Sequence, residues 1–116
     1  MLGSTLLVAR DARAGRQVVL LRSTWEKHVL PNHPELSGLL EAMAACIETP
    51  GMILASDKHP NRELYYRRQT LRSGRYAWVK VVVVFRANGA GVVVTAFLTD
   101  TVRGGDILWM APDFRI

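Results

Sequence analysis

Cysteine, histidine and metal-binding motifs are scarce in this 116-residue chain. The one cysteine, Cys46, excludes an internal disulfide and fits a reducing compartment such as the cytoplasm. It lies in an apolar helix pattern with no base nearby in sequence, which favours a buried side chain over a nucleophile. The sequence contains no Cys-x-x-Cys motif and no histidine pair at helical spacing, so we predict no metal site and no cofactor.

Long apolar runs, internal repeats and low-complexity tracts are also missing. No stretch approaches the length of a membrane-spanning helix, so no membrane partner is expected. Residues 1–16 lack the basic segment and long apolar run of a signal peptide. We therefore expect one cytoplasmic domain over residues 1–116.

Acidic residues are fewer than basic residues in this chain. Ten Asp and Glu stand against 15 Lys and Arg, which leaves a net charge of +5. A small basic domain attracts polyanions, so a nucleic acid is a sensible partner, although many basic domains bind none.

The apolar pattern predicts an α+β fold. Runs at 4–9 and 17–22 flank a glycine-bearing loop and predict a hairpin, which is followed by two helices. Later strand patterns lie at 51–55, 62–69, 76–86, 91–98 and 106–110. Hairpin-linked strands after helices favour two helices on one face of a four- to five-stranded antiparallel sheet.

Two helix patterns lie between the strand patterns. Ser23 and Glu26 fit a capping box, and Pro31 is expected to end this first short helix. A second helix is predicted after a cap at Asn32 or His33, with Pro34 in its first turn, and its apolar stripe runs over 36–47. The stripe consists of Leu36, Leu39, Leu40, Met43, Ala44 and Ile47.

The three histidines differ in their surroundings. His28 shares a helix face with Trp25 and Val29, which predicts a position near the buried side. A satisfied, partly buried histidine is the ordinary interpretation, and an acid/base role is the alternative. His33 fits a cap for the second helix, whereas His59 lies in a turn and is expected to be solvated.

Two strands each carry one polar residue on an otherwise apolar face. Strand alternation places Lys80 on the side of the sheet that faces away from the helices. In the next strand, Thr95 is the polar residue on one of the two faces. We therefore predict that Lys80 and Thr95 open onto one surface away from the core. A lysine on an exposed face is also a common guard against aggregation.

Arginines and tyrosines stand side by side in the strand before these two. Tyr65 and Arg67 are predicted on one face, with Tyr66 and Arg68 on the other. The combination suits phosphate pairing and base stacking, and it equally suits an edge strand with solvated arginines. A single bulge would exchange the faces, so which arginine faces Lys80 stays open.

Several segments stand in a recognisable order: WEKHVLPNHPEL, IETPGMIL, ELYYRR, VKVVVVF, VVVTAFLTD and ILW. From Trp25 to Trp109 the chain resembles the phage barnase–EndoU–colicin–RelE-like nuclease family. The resemblance implies a barnase-like fold and a metal-independent endoribonuclease. It also implies a toxin or toxin module of a phage or bacterial conflict system.

The resemblance also implies roles for individual residues. His28 and His33 match the histidines of the helical motif, Arg67 or Arg68 the basic strand position, and Thr95 the strand threonine. Lys80 is added from its strand face. The predicted catalytic residues are His28, His33, Arg67, Lys80 and Thr95. The predicted substrate-binding residues are Tyr65, Arg68 and Trp78.

RNA cleavage of this kind uses the 2′-hydroxyl as an internal nucleophile, with a base, an acid and cations on the phosphate. We expect His28 to be the main acid/base, Arg67 to hold the phosphate, and His33 to carry a second proton or position the substrate. RNA is the expected partner, together with an acidic inhibitor or antitoxin protein. The alternative is a non-catalytic RNA- or protein-binding module of the same fold.

Overall fold

Seven strands form one sheet in the order β1-β2-β6-β5-β4-β3-β7. The computed structural model describes residues 4–112, so both ends of the predicted domain lie outside it. The strands are β1 Thr5–Arg10, β2 Gln17–Leu21, β3 Met52–Ala55, β4 Arg62–Thr70, β5 Tyr76–Phe85, β6 Gly91–Thr99 and β7 Ile107–Met110. Two helical segments lie between β2 and β3: α1 over residues 22–32 and α2 over Leu40–Glu48.

The α+β class is confirmed, but the sheet is larger than predicted and mixed rather than antiparallel. Its parallel pair is β2 with β6, joined through Val18–Gly91 and Val19–Val92. This pairing brings the β1–β2 hairpin into the sheet, and β7 extends the other edge beside β3. Local patterns predict the strands, whereas these long-range pairings depend on how the whole chain packs.

The first helical segment, α1, is not a uniform α-helix. It consists of a π-helical turn at Trp25–Val29 between single α turns at Arg22–Thr24 and Leu30–Asn32. The predicted capping box is absent, because the N-cap is Leu21 and no side chain caps the helix start. Pro31 lies inside the last turn of the segment, Leu30–Asn32, instead of ending the helix before it.

The second helix, α2, begins later than predicted, at Leu40 instead of directly after a cap at Asn32 or His33. Gly38 has a φ of +82°, a left-handed conformation that glycine adopts without strain and that interrupts the helix. Leu36 is fully buried from a 3₁₀ turn, Pro34–Leu36, so the apolar stripe still packs on the sheet. Within residues 4–112, no helix is long and apolar enough to span a membrane.

The helices cover one face of the sheet and form the main core with it. Val79, Val81 and Val83 of β5 lie in this core, as alternation predicts. Cys46 of α2 is also fully buried, and burial raises the pKa of its thiol. The thiol is therefore packed inside the core, where it donates weak hydrogen bonds to the carbonyl oxygens of Tyr65 and Val79 at 3.4 Å, and it forms no disulfide.

A buried polar network ties the β1–β2 hairpin to β4. The Asp11 carboxylate accepts hydrogen bonds from the Arg16 guanidinium at 2.7 Å and the Tyr65 hydroxyl at 2.8 Å. Arg16 also donates to Glu63 and lies 3.7 Å above the centre of the Phe85 ring. Burial alone would raise the pKa of Asp11, but the hydrogen bonds to its carboxylate outweigh burial and lower this pKa to about 2.

Candidate nucleic-acid interface

The sheet face turned away from the helices carries a cavity of about 420 Å³, here called the cationic cavity. Strands β4, β5 and β6 supply its floor, and two loops, 56–61 and 101–106, supply its walls. The polar side chains most relevant to chemistry are Lys58, His59, Arg62, Lys80, Thr95 and Arg103. Asp57 is the acid among the lining residues that the structure describes.

Lys80 and Thr95 both line this cavity, so the predicted shared surface is confirmed. Val82, two residues after Lys80 on β5, pairs with Thr95 of β6. The faces predicted for β6 were partly wrong. A bulge leaves Val94 as an extra residue, so Val93 turns into the core instead of sharing the face of Thr95.

Hydrogen bonds within the two wall loops hold their basic residues at the cavity. The Ser56 hydroxyl accepts bonds from the backbone N–H of Lys58 at 3.3 Å and of His59 at 3.1 Å, which shapes the 56–61 turn. The Tyr66 hydroxyl donates to the Arg103 carbonyl at 2.7 Å and accepts from its N–H at 3.2 Å. Buried Tyr66 therefore anchors the second loop to β4.

His59 is the functional candidate that sequence reasoning missed. It is exposed, as expected for a turn, but it lines the same cavity as Lys80 and Thr95. The only local signal was its position between Lys58 and Arg62, two cations beside a strand. Nothing in the turn itself indicates that it faces the strand that carries Lys80.

Lys80 sits among aromatic rings at the edge of the cavity. Its ammonium group lies 5.3 Å from the ring centres of both Tyr66 and Phe97, which is cation–π distance. Phe97 also stacks on His33, with 5.1 Å between ring centres and 29° between ring planes. His33 is thus one aromatic ring away from Lys80.

Glu35 holds the chain near His33 against the edge of the sheet. One of its carboxylate oxygens accepts a bond from the backbone N–H of Leu98 on β6 at 3.5 Å. The same oxygen lies 3.7 Å from His33 Nδ1. His33 is partly exposed, with 31% of its side chain accessible, so part of its ring is in contact with solvent.

His28 lies apart from these residues. It was expected near the buried side with Trp25 and Val29, but it is exposed while Val29 is fully buried. A π turn holds more residues than the about 3.6 of an α turn, so the α spacing that put these residues on one face does not apply. Asn32 donates to the His28 carbonyl at 2.8 Å, and His28 is not among the described residues that line the cavity.

Arg67 and Tyr65 lie on the helix-covered face of β4, opposite Lys80. Arg67 donates hydrogen bonds to the carbonyl and hydroxyl oxygens of Thr49, where a cation stabilises the C-terminal end of α2. Tyr65 is fully buried and bonded to Asp11, so its ring cannot stack on a base. The phosphate role expected for Arg67 and the substrate role expected for Tyr65 do not fit these positions.

Arg68 and Trp78 lie on the Lys80 side of the sheet, beside a second cavity of about 290 Å³, here called the aromatic cavity. The two residues pair across β4 and β5, and the Arg68 guanidinium lies 5.2 Å from the Trp78 ring centre. Tyr76 and Asp100 also line this cavity. The register therefore settles which arginine shares a face with Lys80: it is Arg68.

No protein-family model, no curated protein and no solved structure matches this chain. In the part of the chain from 4 to 112, no group of three or more His, Cys, Asp or Glu residues is placed to hold a metal ion.

Proposed function

We propose that this protein is an endoribonuclease that cleaves single-stranded RNA at the cationic cavity without a metal ion. One observation carries the proposal. Lys80 and Thr95 line the same cavity as His59, as Arg62 at the start of β4, and as Arg103 of the 101–106 loop. Each group matches a need of cleavage by the 2′-hydroxyl: cations for the phosphate, a hydrogen-bond donor and a titratable base.

The cations act on the phosphodiester. Lys80 is half-buried, so its charge is less screened by water than that of a fully exposed lysine. Attack on phosphorus adds negative charge to the non-bridging oxygens, and Lys80, with Arg62 and Arg103, stabilises that charge more than it stabilises the starting ester. The Thr95 hydroxyl donates a hydrogen bond to one of these oxygens.

We assign the proton transfers to His59 and His33. His59 lines the cavity, and His33 stacks on the Phe97 ring, which also contacts the Lys80 ammonium group. One imidazole removes the proton from the 2′-hydroxyl, whose oxygen bonds to phosphorus. The other protonates the 5′-oxygen as its bond to phosphorus breaks, which leaves a 2′,3′-cyclic phosphate and a 5′-hydroxyl. Such proton transfers accelerate a reaction by about 10²–10⁴-fold.

The aromatic cavity favours a second candidate function, which is RNA binding without cleavage. Tyr76 is 68% exposed, and Trp78 is partly exposed beside Arg68. Base stacking on such rings contributes about 1–3 kcal/mol per base and tolerates any sequence. A non-catalytic module would bind RNA with an affinity that falls steeply with salt, and it would leave the RNA intact.

The setting that we propose is a toxin of a phage or bacterial conflict system, acting in the cytoplasm. A cell that makes such an enzyme must restrain it, and an acidic inhibitor or antitoxin suits a face rich in cations. Lys58, Arg62, Lys80 and Arg103 all line the cationic cavity. An inhibitor bound there should block RNA binding and RNA cleavage together.

A cleavage assay with two matched histidine variants tests the proposal. Labelled single-stranded RNA is incubated with the protein and a chelator, and the rate of chain cleavage is measured. His59→Gln should lower the rate by about 10²-fold or more, since it removes a proton carrier. His28→Gln, which changes a histidine outside the cavity, should cleave at the wild-type rate.

The outcomes separate the two candidate functions. Salt-sensitive binding of RNA that stays intact under all conditions would identify the binding module and reject the nuclease. An equal loss in His28→Gln and His59→Gln, in folded proteins, would refute the placement of the active site. Circular dichroism of each variant confirms that the fold is retained.

A further inference from the structure

A small second core lies beneath the cationic cavity, on the sheet face away from the helices. Its buried members come from β3, β4 and β5 and are Met52, Leu54, Leu64, Tyr66 and Val82. Leu64 and Val82 also line the cavity, so this core forms part of the cavity floor. Tyr66 is fully buried and is the only one of these residues with a hydroxyl group. Because a buried hydroxyl needs a hydrogen-bond partner, the bonds of Tyr66 show what this core holds in place.

The 101–106 loop packs closely on this second core. Val102 contacts the core, and a Cβ at Gly104 would lie only 3.0 Å from a Leu64 methyl carbon. The Gly105 N–H donates a hydrogen bond to the last carbonyl of β3 at 2.8 Å. Packing and a backbone hydrogen bond therefore hold this loop on both sides of its arginine.

Tyr66 contacts two cationic residues that line the cavity. Its hydroxyl donates to the Arg103 carbonyl at 2.7 Å and accepts from the Arg103 N–H at 3.2 Å, so it fixes the backbone from which that side chain extends. Its ring lies 5.3 Å from the Lys80 ammonium group. The Arg103 side chain forms no hydrogen bond or ion pair with another residue between 4 and 112, so its placement depends on its backbone.

We propose that Tyr66 is a positioning residue of the cationic cavity, acting through Arg103; this rests on the proposed ribonuclease function. Tyr66 is fully buried and does not touch the RNA. Its hydroxyl holds the backbone of Arg103 so that the guanidinium reaches the phosphate that Lys80 contacts. A cation already in place stabilises the charge that develops on phosphorus without reorganising, and a misplacement of about 1 Å can cost about 10²-fold in rate.

Replacement of Tyr66 by Phe tests the hydroxyl alone, because phenylalanine keeps the ring beside Lys80. Tyr66→Phe should lower kcat for single-stranded RNA by about tenfold or more and leave KM nearly unchanged, since the interaction that it weakens is strongest in the transition state. Tyr65→Phe is the matched control. It removes a hydroxyl that is also buried and bonded, to Asp11 at 2.8 Å, but on the helix-covered face. This control should lose stability and still cleave at the wild-type rate.

A double variant tests whether Tyr66 acts through Arg103. Arg103→Met should lower kcat by about 10²-fold, as expected when one group that stabilises the transition state is removed. Tyr66→Phe/Arg103→Met should then cleave at about the rate of Arg103→Met, without a further tenfold loss, because coupled residues do not have additive effects.

Hydrogen exchange of the Arg103 backbone amide, followed by NMR, gives a readout that does not depend on activity. The exchange should be about tenfold or more faster in Tyr66→Phe, which removes the acceptor of this N–H, and unchanged in Tyr65→Phe.

The results separate failure of the positioning role from failure of the nuclease. A protein that cleaves RNA equally well with Tyr66 or Phe at this position overturns the positioning role and leaves the ribonuclease standing. A full further loss in the double variant, equal losses in Tyr65→Phe and Tyr66→Phe, or unchanged exchange of the Arg103 amide also overturns that role. A folded wild-type protein that leaves RNA intact overturns the ribonuclease, and the positioning role with it.

Discussion

Replacement of Asp11 by Asn should destabilise the protein and should make its free energy of unfolding depend less on pH in the acidic range. The Asp11 side chain is fully buried, and it balances the charge of Arg16 at 2.7 Å. Asparagine keeps the size and one acceptor oxygen of the aspartate, but it carries no charge and its amide nitrogen cannot accept the bond from Tyr65. The substitution therefore weakens the link between the β1–β2 hairpin and β4.

The pKa of Asp11 sets the size of the effect. Burial acts to raise this pKa, but the hydrogen bonds to the carboxylate bring it from 3.8 to about 2. That difference corresponds to about 2 kcal/mol of stability at neutral pH. Loss of one partner of a buried pair can cost about 3–5 kcal/mol, but Arg16 keeps Glu63 as a partner at 2.8 Å, which favours the lower figure.

The pH dependence follows from the sign of the shift. The folded-state pKa lies below that of the unfolded chain, so the stabilisation is complete above about pH 4 and fades as the pH falls towards 2. The difference in unfolding free energy between wild type and Asp11→Asn should be about 2 kcal/mol at pH 7 and roughly half of that at pH 3.

Urea unfolding followed by tryptophan fluorescence measures both differences. Arg13→Gln serves as a control, because the Arg13–Glu63 pair is more exposed, at 37% of the arginine side chain, and should contribute about 1 kcal/mol or less. A difference between wild type and Asp11→Asn that is the same at pH 7 and pH 3 would refute the assignment of this stability to the Asp11 carboxylate.

Two further substitutions test the placement of residues in the fold. Arg67→Met should lower the free energy of unfolding by about 1 kcal/mol, because it removes the hydrogen bonds to Thr49 at the end of α2, yet RNA cleavage should continue at the wild-type rate. A strong loss of cleavage in that variant would contradict this placement and show that Arg67 acts in the site. Gly91→Ala should lower the melting temperature, with a cost of about 1–3 kcal/mol, because the new Cβ would lie 2.7 Å from a Phe85 ring carbon and 2.8 Å from a Val83 methyl. An unchanged melting temperature would contradict this packing.

Strand alternation located the face of the candidate site correctly where the strand is regular. In β5 it placed Val79, Val81 and Val83 in the core and Lys80 on the other face. It failed in β6 because one bulge shifts the register, and no residue type in VVVTAF indicates where the extra residue stands. Thr95 nevertheless lies on the predicted surface, and Val94 lies on the same side of the sheet.

Helix spacing and pairing partners were harder to predict from the sequence. The position of His28 was inferred from α-helical spacing, which the π turn at Trp25–Val29 invalidates. The place of His59 in the cavity is not predictable from the sequence, because a turn residue reveals nothing about the distant strands it faces. The size of the sheet was underestimated because the β2–β6 pairing joins residues that are about seventy positions apart, and only the folded chain brings them together.

The chemical ends of the RNA products give the most direct test of the account. Wild-type protein is mixed with a defined single-stranded RNA and a chelator, and the products are identified by mass spectrometry. We predict 2′,3′-cyclic phosphate and 5′-hydroxyl ends, with a rate that falls by about 10²-fold or more in Lys80→Met, which removes the central cation. Intact RNA would contradict the account, and so would 3′-hydroxyl and 5′-phosphate ends, since water rather than the 2′-hydroxyl would then have attacked.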